Sequence, residues 1–155
     1  MSSQNLIQYF ATGSTGSSIM NRQAVEVFVP SGDFDAGDTV CFDPSKEGSE
    51  RVVYVKAKAA DNSNANYFAG IALEGSAVTG SDGRRGVKVA IGGYVEGANV
   101  ASATVAGDFL IPSSVVGRLS GSATIPTTAN TPVLGVALEN ASSNTCDILV
   151  WQKCF

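Results

Sequence analysis

The pentapeptide Gly70-Ile71-Ala72-Leu73-Glu74 returns, with one residue changed, as Gly135-Val136-Ala137-Leu138-Glu139. Other pieces recur around it in the same order. Ala36-Gly37-Asp38 precedes the first copy and Ala106-Gly107-Asp108 the second. An alternating strand pattern follows each: Val87-Lys88-Val89-Ala90-Ile91, then Cys146-Asp147-Ile148-Leu149-Val150-Trp151. This reads as one β motif used twice within a single small domain, since stacked arrays need at least three units. If the copies are structural equals, Leu73 and Leu138 both point inward. Glu74 and Glu139 then end their strands, solvated or making a capping hydrogen bond.

The rest of the chain supports an all-β reading. From Ala24 the valines at 25, 27 and 29 alternate with Glu26 and Phe28, and Pro30-Ser31-Gly32 ends the run. Strands are expected at Thr39–Phe42, Arg51–Ala57, Tyr67–Glu74, from Val87, at Asp108–Ile111, Val133–Glu139 and Cys146–Gln152. Gly92-Gly93 suggests a bulge or sharp bend. Pro112–Leu119 reads as a loop or one helical turn, and Thr124–Pro132 as an extended loop. No segment keeps a 3.6-residue period over three turns. Short strands punctuated by Gly and Pro predict a single small β-barrel or sandwich over residues 24–155.

Residues 1–23 differ in character. They hold one charged residue, Arg22, among Ser, Thr, Gly, Asn and Gln. A frayed terminus and a flexible N-terminal arm are both open readings. The apolar island Leu6-Ile7-Gln8-Tyr9-Phe10 favours an arm that anchors on a neighbour. That makes Leu6, Ile7, Tyr9 and Phe10 candidate binding residues.

Composition narrows the function classes. Charged residues make up 15% of the chain, and the net charge is −4, against a usual charged share of about 25%. A surface so poor in charge suits partial coverage by partners. No basic stripe is present, so nucleic acid is not an expected partner. No apolar run reaches the ~18 residues of a membrane span. Three cysteines and no positively charged, apolar leader point to a reducing cytosolic origin with unpaired thiols, a Cys146–Cys154 bridge staying open.

There is no histidine. His-based triads and His metal sites are therefore excluded. Cys41, Cys146 and Cys154 lie in or beside strands, where a buried thiol is the default. Asp33, Asp35, Asp38 and Asp43 lack the spacing of a calcium loop and read as turn formers. No phosphate-binding glycine loop occurs. No enzyme activity and no cofactor are expected. Trp151 fits either the core or, with Phe155, a subunit contact.

The order Ala-Gly-Asp, Gly-Ile-Ala-Leu-Glu, a Gly/Ser loop, then Val-Lys-Val-Ala-Ile-Gly-Gly-Tyr-Val resembles the capsid decoration (cement, head-stabilising) proteins of tailed bacteriophages. Ala106-Gly107-Asp108-Phe109-Leu110-Ile111-Pro112-Ser113-Ser114 and the second pentapeptide fit the same picture. The resemblance implies a β-barrel or β-tulip-like core and a structural virion protein. It implies assembly in the host cytoplasm onto the capsid exterior, with the major capsid protein as partner and a homotrimer as the common state. The alternative is a host-recognition or tail-associated carbohydrate-binding module using the loops at 61–66 and 124–132.

Overall fold

The computed structural model describes residues 23–77, 86–127 and 131–151. Among the described residues nine strands form one sheet: β1 (Gln23–Pro30), β2 (Thr39–Phe42), β3 (Tyr54–Ala57), β4 (Phe68–Ala72), β5 (Val87–Asn99), β6 (Phe109–Pro112), β7 (Leu119–Ser122), β8 (Gly135–Ala137) and β9 (Thr145–Val150). One helical turn, α1 (Gly48–Arg51), and a 3-10 turn (Ala65–Tyr67) are the only helices among the described residues. The sheet order is β1-β3-β2-β4-β5-β9-β8-β6-β7, and β1 also pairs with β5. That pairing closes β1, β3, β2, β4 and β5 into a five-stranded barrel, as the all-β expectation required.

The second half repeats this wiring. Thr39, Ile71 and Ala90 pair in line across β2, β4 and β5. Phe109, Val136 and Leu149 do so across β6, β8 and β9. In the first lobe the Gly37 amide donates to Ala72 O (2.7 Å), and the Ala72 amide to Asp38 O (2.8 Å). In the second, Gly107 donates to Ala137 O (2.8 Å), and Ala137 to Asp108 O (2.9 Å). Both Ala-Gly-Asp turns place glycine at φ 89°, a left-handed conformation that disfavours other residues. In each, the aspartate accepts the amide three residues back, Asp35 (2.9 Å) or Val105 (3.0 Å). The parallel pairing Pro30↔Val55 has its counterpart in the bridge Val100↔Leu119, which brings the second ring round onto the end of β5.

The strand β5 belongs to both lobes. Its first half pairs with β4 and β1, and its second half with β9. Gly92-Gly93 does not interrupt it. The expected bulge is at this point: the register shifts between Ala90 and Gly92, opposite Ala24/Val25, where β5 carries one extra residue, Ile91.

Each lobe encloses its own apolar cluster at matching positions. Phe28, Val40, Val55, Val87 and Val89 fill the first. Ala98, Leu110, Leu119, Cys146 and Ile148 fill the second. At these matched positions the first uses Phe28 with four valines, beside the further aromatics Phe34 and Phe42. The second has alanine in Phe28's place and gains bulk at Leu110, Leu119 and Ile148. Total volume is traded between positions, as close-packed interiors require.

The alternation in β1 resolves with Phe28 buried and Val25 and Val27 exposed. The ring closes on Phe28, whose edge meets the Phe42 ring at 5.8 Å. Three sequence expectations change. Arg51 belongs to α1, so β3 starts only at Tyr54. Leu119, read as the last residue of the Pro112–Leu119 loop, opens β7, a strand the sequence reading did not assign. Leu138 is 47% exposed, whereas Leu73 packs on the second cluster. The leucine follows the last paired residue of its strand, so only the neighbouring lobe can cover it, and Leu138 has no such neighbour among the described residues. The proposed arm, with Leu6, Ile7, Tyr9 and Phe10, lies outside the described residues, as do Cys154 and Phe155.

The leading glycine of the pentapeptide has one cause in both copies. A Cβ on Gly70 would lie 2.2 Å from Ala90 O, and one on Gly135 would lie 2.2 Å from Leu149 O. Both oxygens belong to the backbone of the neighbouring strand and cannot step aside. Gly70→Ala and Gly135→Ala should each cost at least the ~1–3 kcal/mol typical of overpacking, while Leu138→Ala should cost under about 0.5 kcal/mol, the range of surface changes. Urea melts of the three variants check this. Neutral glycine variants would mean the strands can part.

Candidate interaction surface

The predicted acidic cluster is dispersed into structural roles. Asp38 Oδ2 accepts the Asp35 amide, and its Oδ1 accepts Asn99 Nδ2 (2.8 Å) from the second lobe's end of β5. Asp43 is buried and accepts the Ser45 amide (3.0 Å) and hydroxyl (2.8 Å), with Lys56 Nζ at 3.3 Å. Burial alone would raise its pKa. The Ser45 groups, the Ser31 hydroxyl and Lys56 together outweigh burial and hold it at about 2. Glu74 accepts the Lys88 amide (3.2 Å) and pairs with Lys88 Nζ (3.3 Å). Glu139 accepts the Asp147 amide (3.1 Å). Both glutamates therefore cap strand ends. Among the described residues no group of three or more His, Cys, Asp or Glu side chains could hold a metal.

The other reactive groups are equally committed. Cys41 and Cys146 are buried thiols in strands, and burial pushes Cys146 up to about 11, far from nucleophilic use at neutral pH. The Tyr94 hydroxyl donates to Asp147 Oδ2. That bond, with burial and the nearby carboxylates, pushes the phenol up to about 12. An open polar cleft of about 370 Å³ lies at the rim of the first lobe, lined by Pro30–Asp33, Ser76 and Ala77. Among the described residues, Asp33 is its one ionisable lining residue.

A residue that the sequence reading passed over holds the lobes together. Lys58 is fully buried. Its ammonium donates to Ala59 O (2.7 Å), Asn62 Oδ1 (2.8 Å) and Ser113 O, the last in the loop before β7. The Lys58 carbonyl accepts the Gly117 amide (2.9 Å), and Gly117 O accepts the Thr39 amide (2.7 Å). Burial pushes the lysine pKa down, yet three oxygen acceptors match the three donors of the charged form. Asn64, also buried, braces this loop by accepting the Ala59 amide (2.7 Å) and donating to Ala57 O (3.1 Å). Nothing in a Lys within Ala-Lys-Ala-Ala announces such burial: two acceptors, Ala59 O and Asn62 Oδ1, lie in the turn that follows it, and the third, Ser113 O, is distant in sequence.

Trp151 is not in the core. It is 44% exposed and meets the Phe109 ring edge-on at 6.3 Å. Phe109, Val136 and Leu149 continue the same outward row, with Leu149 38% exposed. The result is an apolar sheet face on the second lobe, a side-chain surface suited to a macromolecular partner. Of the predicted contact residues, the structure places Trp151 here. Phe109 and Leu149 were not singled out by sequence, since alternation marks two faces without saying which one is left open.

No protein-family model matches the sequence, and no curated protein is significantly similar to it.

Two predictions follow from these side chains. Lys58→Met keeps the stem but strands several buried acceptors, and should lower stability by about 2–3 kcal/mol. An unchanged urea midpoint would mean that desolvating the ammonium cancels its bonds. For Asp43, the folded pKa lies below the unfolded value. Its contribution of about 2 kcal/mol is therefore complete above pH ~4 and lost as pH falls towards ~2. Melts of wild type and Asp43→Asn across this window should converge at the acid end. Parallel curves would remove Asp43 as the cause.

Proposed function

We propose that this chain is a structural virion protein that binds the outside of an assembled bacteriophage capsid and bridges adjacent capsid subunits. The observation that carries the reading is where the family-like motifs sit. Ala-Gly-Asp and Gly-(Ile/Val)-Ala-Leu-Glu form the hydrogen-bonded frame of both lobes, so the resemblance rests on residues that build the fold. The apolar, charge-poor face at Phe109, Val136, Leu149 and Trp151 adds support, because it suits broad contact with low desolvation cost.

The mechanism is mass action. A ligand that binds only the assembled lattice stabilises that lattice against disassembly. Repetition over a symmetric shell multiplies weak contacts into avidity. Two lobes joined through buried Lys58 and a shared strand would transmit load between capsid subunits as a stiff strut. The carbohydrate-binding alternative loses two of its amides, because Asn62 and Asn64 are engaged internally.

The test is co-sedimentation of the purified protein with undecorated mature heads and, separately, with free capsid subunits. Binding to heads alone is expected. Equal binding to free subunits, or none to heads, would overturn the reading.

A further inference from the structure

The two lobes match in register, so each outward row on one has a counterpart on the other. The row Thr39, Ile71 and Ala90 of the first lobe is fully buried. Ile71 and Ala90 belong to the apolar cluster of the second lobe, so this row is covered from within the chain. The counterpart row is Phe109, Val136 and Leu149, and Tyr94 extends it onto β5 by pairing with Leu149. Trp151 stands beside it, two residues after Leu149. The row carries no charged side chain, and its members remain partly or largely exposed.

The described chain begins at the end of this row. Its first residue, Gln23, pairs with Gly93, and Gly93 pairs on its other edge with Val150 of β9. Gln23 Nε2 donates to Tyr94 O (2.9 Å). The entry point is therefore one position short of Tyr94, in line with Leu149, Val136 and Phe109. At about 4.8 Å per strand, β6 on the far side of the row lies roughly 19 Å from β1 along the sheet.

The 22 residues before Gln23 suit this span. Residues 11–18 are Ala, Thr, Gly and Ser alone, and Arg22 is the only charged residue of the segment. A flexible linker of the 12 residues from 11 to 22 has an r.m.s. length of roughly 17–21 Å. At its far end stand Leu6, Ile7, Tyr9 and Phe10, two aliphatic and two aromatic side chains like those of the row itself. Tethered so closely, they meet the face at an effective concentration in the millimolar range. A second molecule would need a comparable concentration to compete on equal terms.

We infer that residues Leu6–Phe10 fold back over the Phe109–Val136–Leu149–Trp151 face of their own chain and cover it in the free protein. Each outward row is then covered from within the chain, the first by the second lobe and the second by the N-terminal segment. Any partner that uses the face must first displace the segment. The inference stands apart from the capsid reading, because it is read out on the free protein without heads.

Trp151 is the single tryptophan of the chain, so its emission reports this face. Two full-length variants each alter one side of the contact. The triple variant Leu6→Ser, Ile7→Ser, Phe10→Ser changes only the segment. Its tryptophan emission should shift to the red and be quenched more readily by acrylamide, with no change in mass by sedimentation velocity. Leu149→Lys changes only the face. Chymotrypsin cleavage after Tyr9 or Phe10, read by intact mass, should be at least ~10-fold faster in it than in wild type, because cleavage tracks the open population. Both effects should be equal at about 1 and 100 μM protein, since a tethered contact does not depend on concentration.

Tryptophan emission that the triple variant leaves unchanged would overturn the inference. Equal cleavage of wild type and Leu149→Lys would do the same. Effects that grow with protein concentration would also overturn it, by assigning the face to a second copy. The triple variant lies outside every described strand, so its result stands even where Leu149→Lys loosens the lobe.

Discussion

Everything in this fold depends on one strand serving two rings. The 13 residues of β5 give their first half to β1 and β4 and their second half to β9. A strand that closes one barrel must curve, and the same strand must then turn to open the next. Irregularities in register provide the bend: one opposite Ala24/Val25 and another between Val95 and Ala98. Because the hydrogen bonding runs through, neither lobe can lose β5 without opening the other. The two are expected to unfold as one cooperative unit.

The repeat was legible in the sequence because its parts are backbone requirements. Gly70 and Gly135 face a neighbouring carbonyl, Gly37 and Gly107 take a left-handed turn, and Asp38 and Asp108 cap that turn. No other residue type meets these demands well, so they survive where the surroundings diverge. Side chains that only fill volume carry no such mark. Phe28 and Ala98 share a position but not a size, so the equivalence of β1 and the second half of β5 could not be read from composition.

Which face of a strand is covered was the least legible feature. Alternation at Val25, Phe28 and Leu138 identifies two sides, and the covered side is decided by elements remote in sequence. The valines of β1 look like a core and are not, because ring closure turns Phe28 inward. Lys58 looks like a surface lysine and is buried, because the second lobe arrives with the carbonyl of Ser113. Trp151 has the opposite history: an aromatic after β9 that the described residues cover only in part, along the ring of Phe109.

The two rows show what covering a β surface demands. In the buried row the polar groups need partners. The Lys58 ammonium finds three oxygens, whereas Thr39 Oγ1 has no hydrogen-bond partner among the described residues. A buried hydroxyl without a partner costs roughly 1–3 kcal/mol, so the seam holds despite Thr39 and because of Lys58. In the open row the same two positions are Ser122 and Phe109. Ser122 turns to its own loop, donating to Thr124 O (2.7 Å), and Phe109 adds apolar area where threonine had a stranded hydroxyl. The open row is thus already free of the polar liabilities that the buried one carries. A surface that stayed in water would gain nothing from losing them. One that is covered would gain at these two positions.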